Sequence, residues 1–440
     1  MDGAGNAGHI RFFLHSGGLR RGILSESRRI LRKLGRALGP GLVTGAADDD
    51  PSGIATYSQA GAQFGFGLTW TMFLMLPFMT AIQIISAVIG WNTRAGLARN
   101  IAKVLPAPVL YLLVASLLVA NTINIAADLA AMGEALRLVA GGSALVYAAI
   151  FGVVCLIAEV VIPYHRYAGF LKFMTMVLLF YVAAAFTVNV PWGEVARSTF
   201  IPDIRLDHDM ILMVVAIFGT TISPYLFFWQ ASQEAEESRL SHRAHLRHRN
   251  EAQENSFRSI SIDTWIGMIA SNLVAFFIIV TTAATLHVHG INHIDTAAQA
   301  AEALRPVGGP FAFALFAAGI IGTGLLAVPV LAGSAAYAVA EVFKIRGSLE
   351  LPANRAIGFY AIVAAATIGG AALLLTNIDP IAMLFWTAVI NGIVAVPIMI
   401  ATMIVVSKIG IGLPRWLTIL GWLAAVLMTA VVGLLVWSSF

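Results

Sequence analysis

Of the chain's 440 residues, 59% are hydrophobic and only 11% are charged, with a formal net charge of +4. Soluble domains carry about 25% charged residues, so the composition excludes a water-soluble globular protein. The apolar runs are long rather than alternating over about ten residues, which favours helices over an outer-membrane barrel. The single cysteine, Cys155, excludes an intramolecular disulfide and a cysteine-based metal cluster.

The N-terminal segment has no apolar core followed by a small-residue cleavage site, and so is not read as a signal peptide. RRGILSESRRILRKLGRAL (20–38) spaces apolar residues among six Arg and one Lys. It reads as a basic amphipathic helix on an anionic inner leaflet, or as a plain basic tail obeying the positive-inside rule. Runs long enough to cross ~30 Å of hydrocarbon then follow at roughly 39–66, 68–91, 108–137, 143–163, 167–190, 210–232, 261–286, 310–341, 355–376, 380–406 and 415–438. The expected fold class is therefore an all-α integral membrane protein with eleven spans. If the N-terminus is cytoplasmic, 23 Lys and Arg fall on the inner side and four (Arg137, Arg197, Arg205, Arg305) on the outer. That asymmetry places the N-terminus inside and the C-terminus outside a plasma membrane, the inner membrane in a bacterium.

Two spans are interrupted. The first contains DDDPSG, with Pro51 and Gly53; the sixth contains GTTISP, with Pro224. Proline breaks or kinks a helix, and a break is tolerated in lipid only where the freed backbone faces protein or a water-filled cavity. The breaks open the first and second sets of five helices at corresponding places, in helices of opposite direction. This is the pattern of an inverted-repeat secondary transporter with its site at the breaks. The expected organisation is a basic N-terminal segment (1–38), a first repeat of helices one to five (39–190), an extracellular loop (191–209), a second repeat of helices six to ten (210–406), and an eleventh helix with the C-terminus (407–440). Both breaks fall near mid-membrane. Eleven uncharged residues between Arg36 and Asp48 amount to roughly 16 Å of helix.

Ionisable side chains at membrane depth are functional candidates. Asp48, Asp49, Asp50 and Asp128 have no basic residue nearby in sequence, whereas Glu134 and Arg137 are spaced to pair on one helix face. Glu159, close to His165, reads as interfacial. Buried anions must be protonated, paired or metal-bound, so a cation is the economical partner for Asp50. Asp48 and Asp49 then line a vestibule or cap the following half-helix. The second break adds Thr220, Thr221, Ser223 and main-chain carbonyls, and Asn391 is polar and mid-span in helix ten. Carboxylate, hydroxyl and carbonyl oxygens suit Mg²⁺, Ca²⁺ or Mn²⁺. The two histidine sets, His287, His289 and His293 and His242, His245 and His248, have no acidic or Cys companions at ligand spacing, and read as loop histidines. No phosphate loop or catalytic motif is present. The chain is therefore not read as an enzyme, needs no cofactor, and implies a divalent cation and the lipid bilayer as partners, with no nucleic acid and no obligate protein partner.

GPGLVTGAADDDPSGIATYSQAGAQFG (39–65) resembles the first helix of the Nramp divalent-metal transporters: GPG, eight residues, then DPGN and a downstream QAGAQFG. IAADLAAMG (125–133) is similar to the family's third helix. The resemblance implies a LeuT-type fold, five-plus-five inverted repeats with an eleventh helix, and alternating access to a metal site between helices one and six. It assigns Asp50 as the ligating carboxylate, and the carbonyls of Ala47 and Thr220 as state-dependent ligands. The chain departs from the family where it has Gly53 in place of Asn, Ser223-Pro224-Tyr225 in place of MPH, and Ala131 and Asn121 in place of helix-three acids. Asp128 is retained as a possible proton path. Loss of the Met sulfur and of the His makes the chain resemble the Mg²⁺-handling branch. The function expected is alternating-access transport of a hard divalent cation, Mg²⁺- or Mn²⁺-like, with weak or absent proton coupling. The alternatives are the same fold carrying an organic cation or small solute, with Phe227, Phe228 and Trp229 as cation–π partners, and a membrane sensor reading out through residues 239–258.

Overall fold

The computed structural model describes residues 40–162, 176–244, 249–376 and 378–439, with side chains described outside 240–256. The basic segment 20–38, the side chain of His242, and His245 and His248 lie outside the described residues. The first span is two helices, α1 (Pro40–Asp48) and α2 (Pro51–Phe64). After them come α3 (Trp70–Thr93), the short α4 (Leu97–Ile101), α5 (Ala107–Ala140), α6 (Ala144–Val161) and α7 (Leu179–Thr187). The surface helix α8 (Trp192–Phe200) precedes a second broken span, α9 (His208–Thr221) and α10 (Pro224–Ala244). The remaining long helices are α11 (Arg249–Thr285), α12 (Ala312–Val342), α13 (Ile357–Leu373), α14 (Pro380–Ile409) and α15 (Arg415–Ser438).

Each of the eleven expected stretches carries helix, and among the described residues there is no strand. Among the described residues, eight stretches qualify as spans by length and hydropathy alone, with α9 and α10 counted together as one. The first stretch falls short because it is broken, and the ninth because α13 has 17 residues. Of the fifth, only residues from 176 onward are described. The loop expected at 191–209 contains α8, which turns 115° from the helix before it. Val195 of α8 packs with Phe66 and Phe277, so this amphipathic helix caps one end of the bundle.

The packing repeats itself between the halves. The first broken helix lies along α11, and α10 of the second lies along α3, the helix that follows the first break. Exchanging the two repeats turns one pairing into the other, and the two third helices, α5 and α12, form the most extensive interface. Apolar side chains gain little by leaving lipid for protein, so membrane helices associate through close packing and hydrogen bonds. Small residues therefore sit at the contacts: Gly45 of α1 against Gly267 of α11, Gly219 of α9 against Gly392 of α14, and Gly90 of α3 against the Ala231 carbonyl of α10.

A side chain at Gly90 must displace the Ala231 backbone, whereas Gly433 on α15 faces open space. Gly90→Leu is expected to destabilise the protein by about 1–3 kcal/mol, read as a lower melting temperature in detergent, and Gly433→Leu to leave it unchanged. Equal effects of the two substitutions would contradict this interface.

A candidate cation site at the two helix breaks

Both breaks are two residues long, 49–50 and 222–223, and both helices restart on a proline, Pro51 and Pro224. Proline suits the first helical turn because its missing N–H would have no partner there. Asp50 is the N-cap of α2: its Oδ1 accepts from Gly53 N (2.7 Å) and from Ser52 Oγ (2.8 Å). Across the break, Ser223 Oγ donates to the carbonyls of Gly219 (2.9 Å) and Thr220 (2.7 Å), which α9 leaves exposed where it ends. Each interruption is thus held by a side chain of its own sequence.

The site residues fall into three groups. Asp50, Ala47, Gly53, Thr220 and Tyr225 come together. Tyr225 at the start of α10 donates its hydroxyl to the Ala47 carbonyl (2.8 Å) and lies 3.4 Å from Asp50 Oδ2. Asn124 of α5 donates to the same Oδ2 (3.2 Å). A Cβ added at Gly53 would lie 3.0 Å from Thr220 Oγ1, 3.3 Å from the Asp48 carbonyl and 3.4 Å from Asp50 Oδ1, so the glycine leaves a space bounded by oxygen.

Asp48 and Asp49 form a second group. They turn to α11, where Ser271 Oγ is 2.6 Å from Asp48 Oδ2 and 3.0 Å from Asp49 Oδ1. A hydroxyl has one proton to give, so these two carboxyls share a single serine donor. Thr221 donates to the Ile217 carbonyl (2.6 Å) and receives from Tyr57 (3.2 Å), an arrangement that ties α2 to α9.

The third group is buried acceptors without donors. Both oxygens of Asp128, which is fully buried, make no hydrogen bond of ordinary geometry, although the Ser52 backbone amide interacts with the carboxyl. The side chain of Asn391, Asn124 Oδ1 and Asp48 Oδ1 are likewise unpartnered and buried. Buried polar groups are normally hydrogen-bonded. Among the described residues, none of Asp48, Asp49, Asp50 and Asp128 has an ion pair. No three His, Cys, Asp or Glu side chains converge as a closed metal cage there either. A bound cation would have to draw on carbonyl, hydroxyl and amide oxygen, and retain water.

Two contributors escaped the sequence reading. Asn124 is one helical turn before Asp128 and shares its face, a spacing that could have identified it. Ser271, a lone serine in an apolar run, carries no such signal. Glu159 corrects an expectation: it is buried at 3% exposure with both oxygens unpartnered, rather than interfacial, because α6 turns it into the bundle. Glu134 and Arg137 pair at 2.6 Å as expected. Two of the loop histidines hold their loop to α2, through His287 to the Ala62 carbonyl (2.8 Å) and His293 to Gln59 (3.3 Å). Trp229 packs edge-on against Tyr337 of α12 and over Gly333, and so belongs to the α10–α12 interface.

A cavity of about 470 Å³ opens between α2, α9 and α14, lined by Gln59, Gln63, Asp209, His293, Asp295 and Asp379. Ala55 and Met213 line it as well. Ala55 is five residues beyond Asp50, or roughly 8 Å of helix. Asp50 itself is 2% exposed and does not line this cavity.

A family model described as natural resistance-associated macrophage protein-like, Nramp, matches residues 41–438. The "Divalent metal cation transporter MntH" of Yersinia pestis (strain Pestoides F) is 28% identical over 311 residues, 69% of this chain and 72% of that protein. The protein of the same name from Klebsiella pneumoniae (strain 342) is 26% identical over 428 residues, 94% of this chain and 97% of its own. Among solved structures, a manganese transporter of Eremococcus coleocola superposes with a TM-score of 0.60 at 15% identity, covering 93% of this chain and 95% of that one. Mhp1, a nucleobase-cation-symport-1 family transporter, gives 0.54 at 13% identity, covering 92% of each chain. At these identities the superpositions speak for the fold, which is the LeuT-type inverted repeat.

Ser271→Ala would leave Asp48 and Asp49 without their shared donor. The expected loss is about 1–3 kcal/mol, measured by thermal unfolding of purified protein; Ser271→Thr, which keeps a hydroxyl, should recover most of it.

Proposed function

Because the chain belongs to the Nramp family, we propose that it carries a hard divalent cation across the membrane by alternating access, with Asp50 as its principal ligand. Among its relatives are proteins named divalent metal cation transporters. The observation that carries the assignment is the group of buried acceptors at the first break, Asp50, Asn124 and Asp128, without a basic counterpart among the described residues. A cation entering between α1 and α9 takes the place of the Tyr225 hydroxyl as the partner of the Ala47 carbonyl and Asp50 Oδ2. Thr220 and Ser223 supply further oxygen, directly or through retained water. Asp48, Asp49 and Thr221 act from behind, by fixing the half-helices.

The donor set favours oxygen-loving ions. Ser223 and Tyr225 bring no sulfur and no imidazole, and thioether or thiolate is what selects soft metals. Mg²⁺ keeps several waters when protein ligands are few, which matches a site without a closed cage of carboxylates. Proton coupling is weak or absent on this reading, with Asp128 as the remaining candidate on a proton path. Residues 39–190 and 210–406 are taken as the two rocking repeats. The strong Lys and Arg asymmetry supports a cytoplasmic N-terminus and an outer C-terminus in the plasma membrane, the inner one in a bacterium.

Proteoliposomes loaded with a metal indicator test the assignment. Mn²⁺ and Mg²⁺ influx is expected, with little response to a pH gradient, and Asp50→Asn should abolish it while leaving the melting temperature close to that of the parent. Influx that survives Asp50→Asn, a clear preference for Cd²⁺, or lumenal acidification in step with metal entry would each refute part of the proposal. Tyr225→Phe removes the hydroxyl that competes with the cation. It should lower the Kd for Mn²⁺ by roughly fivefold, the worth of about 1 kcal/mol for one hydrogen bond, in a calorimetric titration. Weaker binding would instead make that oxygen a ligand.

A further inference from the structure

At the opposite ends of the helices, α3, α4, α10 and α12 enclose a second cavity of about 570 Å³. Five cationic residues line it: Arg94 at the end of α3, Arg99 on α4, Arg239 on α10, and Lys344 and Arg346 just beyond α12. Of its two carboxylates, Glu341 has donors on both oxygens and Glu236 on Oε1, while Glu236 Oε2 is buried without a partner. Glu341 accepts from the backbone amides of Gly96 and Arg99, and Glu236 accepts from the Tyr337 hydroxyl (2.8 Å). Arg239 donates through Nε and Nη2 to the Arg94 carbonyl (2.8 and 2.6 Å), which locks the end of α3 to α10.

Three independent features indicate that the cavity is built to receive something. Arg94 and Lys344 end their helices at φ 54° and 55°, and they are the only non-glycine residues with positive φ among the described residues. Glycine usually takes that capping position, and a bulkier residue held there is under strain of the kind that collects at functional sites. Here both strained positions deliver a cation to the same cavity. Ser232 Oγ, 4% exposed, lines it too and has no hydrogen-bond partner. Beside the cations, Phe343 and Ile345 stand exposed at 65% and 37%, so apolar and basic side chains alternate along Phe343-Lys344-Ile345-Arg346. Such alternation suits a membrane surface, where a charged headgroup meets acyl chain.

We propose that this cavity binds the phosphate of an anionic phospholipid from the adjacent leaflet. Lys344 and Arg346 neutralise its charge, and the Ser232 hydroxyl donates to a phosphate oxygen. A soluble phosphate has the same chemistry, but it would make no use of Phe343 and Ile345. The bound lipid would touch α3 and α4 of one repeat and α10 and α12 of the other, and so bear on how the broken sixth helix moves. The proposal rests on the chain spanning a membrane and is independent of which cation the helix breaks hold.

The test uses the full chain in phosphatidylcholine nanodiscs with increasing phosphatidylglycerol, followed by thermal unfolding. A ligand that binds the native state raises apparent stability. Phosphatidylglycerol should raise the melting temperature of the parent, and Lys344→Gln/Arg346→Gln should lose more than half of that rise. Both residues are exposed, so the fold tolerates the exchange. Lys408→Gln/Arg415→Gln removes the same charge away from the cavity and should keep the rise. The site is refuted if phosphatidylglycerol has no effect or if both double variants lose the effect equally. A rise produced by inorganic phosphate in pure phosphatidylcholine would refute the lipid as occupant.

Discussion

A helix interrupted within a membrane leaves amides and carbonyls that no water can satisfy, and the whole arrangement depends on how that is met at Asp50. One carboxylate oxygen closes the first turn of α2 through Gly53 and Ser52, and the other meets Asn124 and approaches Tyr225. The same side chain therefore builds the break and provides its charge. Ser223 does the matching work at the end of α9, where it returns its proton to the carbonyls of Gly219 and Thr220. The breaks persist because their polar groups are answered locally, whereas the side chains of Asp128 and Asn391 are buried without a partner.

The surrounding helices keep those groups in register. Glycine contacts bring α1 against α11 and α9 against α14 at backbone distance. Asn121 spans α5 and α12 through the Leu331 carbonyl and Ser334 (2.9 and 2.8 Å), which holds the two third helices together behind the site. Such hydrogen bonds are worth on the order of 1 kcal/mol in a bilayer, so the frame is held by many modest contacts that can separate along defined seams. The alternating access proposed above, in which one bundle rocks against another, would use seams of this kind.

Much of this was legible in the amino-acid sequence because the lipid imposes simple rules. The apolar run lengths located the helices, and Pro51 and Pro224 marked the restarts to the residue. Pairing of Glu134 with Arg137 followed from their spacing. What stayed hidden depends on side-chain direction across helices. Neither the donation of Ser271 to two carboxylates 222 and 223 residues away nor the inward turn of Glu159 leaves a trace in local pattern. Membrane amphipathicity is weak when both faces of a helix are apolar, so the buried side of α6 could not be told from its lipid side. The α8 segment lies in an expected loop, and only the i,i+4 spacing of its buried Val195 and Thr199 marks it as a helix lying flat.

The Tyr225 hydroxyl rests between the Ala47 carbonyl and Asp50, and so ties the start of α10 to both sides of the first break. Any displacement of α10 away from α1 has to part that contact first. A single phenol thus acts as a latch between the two interrupted spans, and neither can shift without the other registering it.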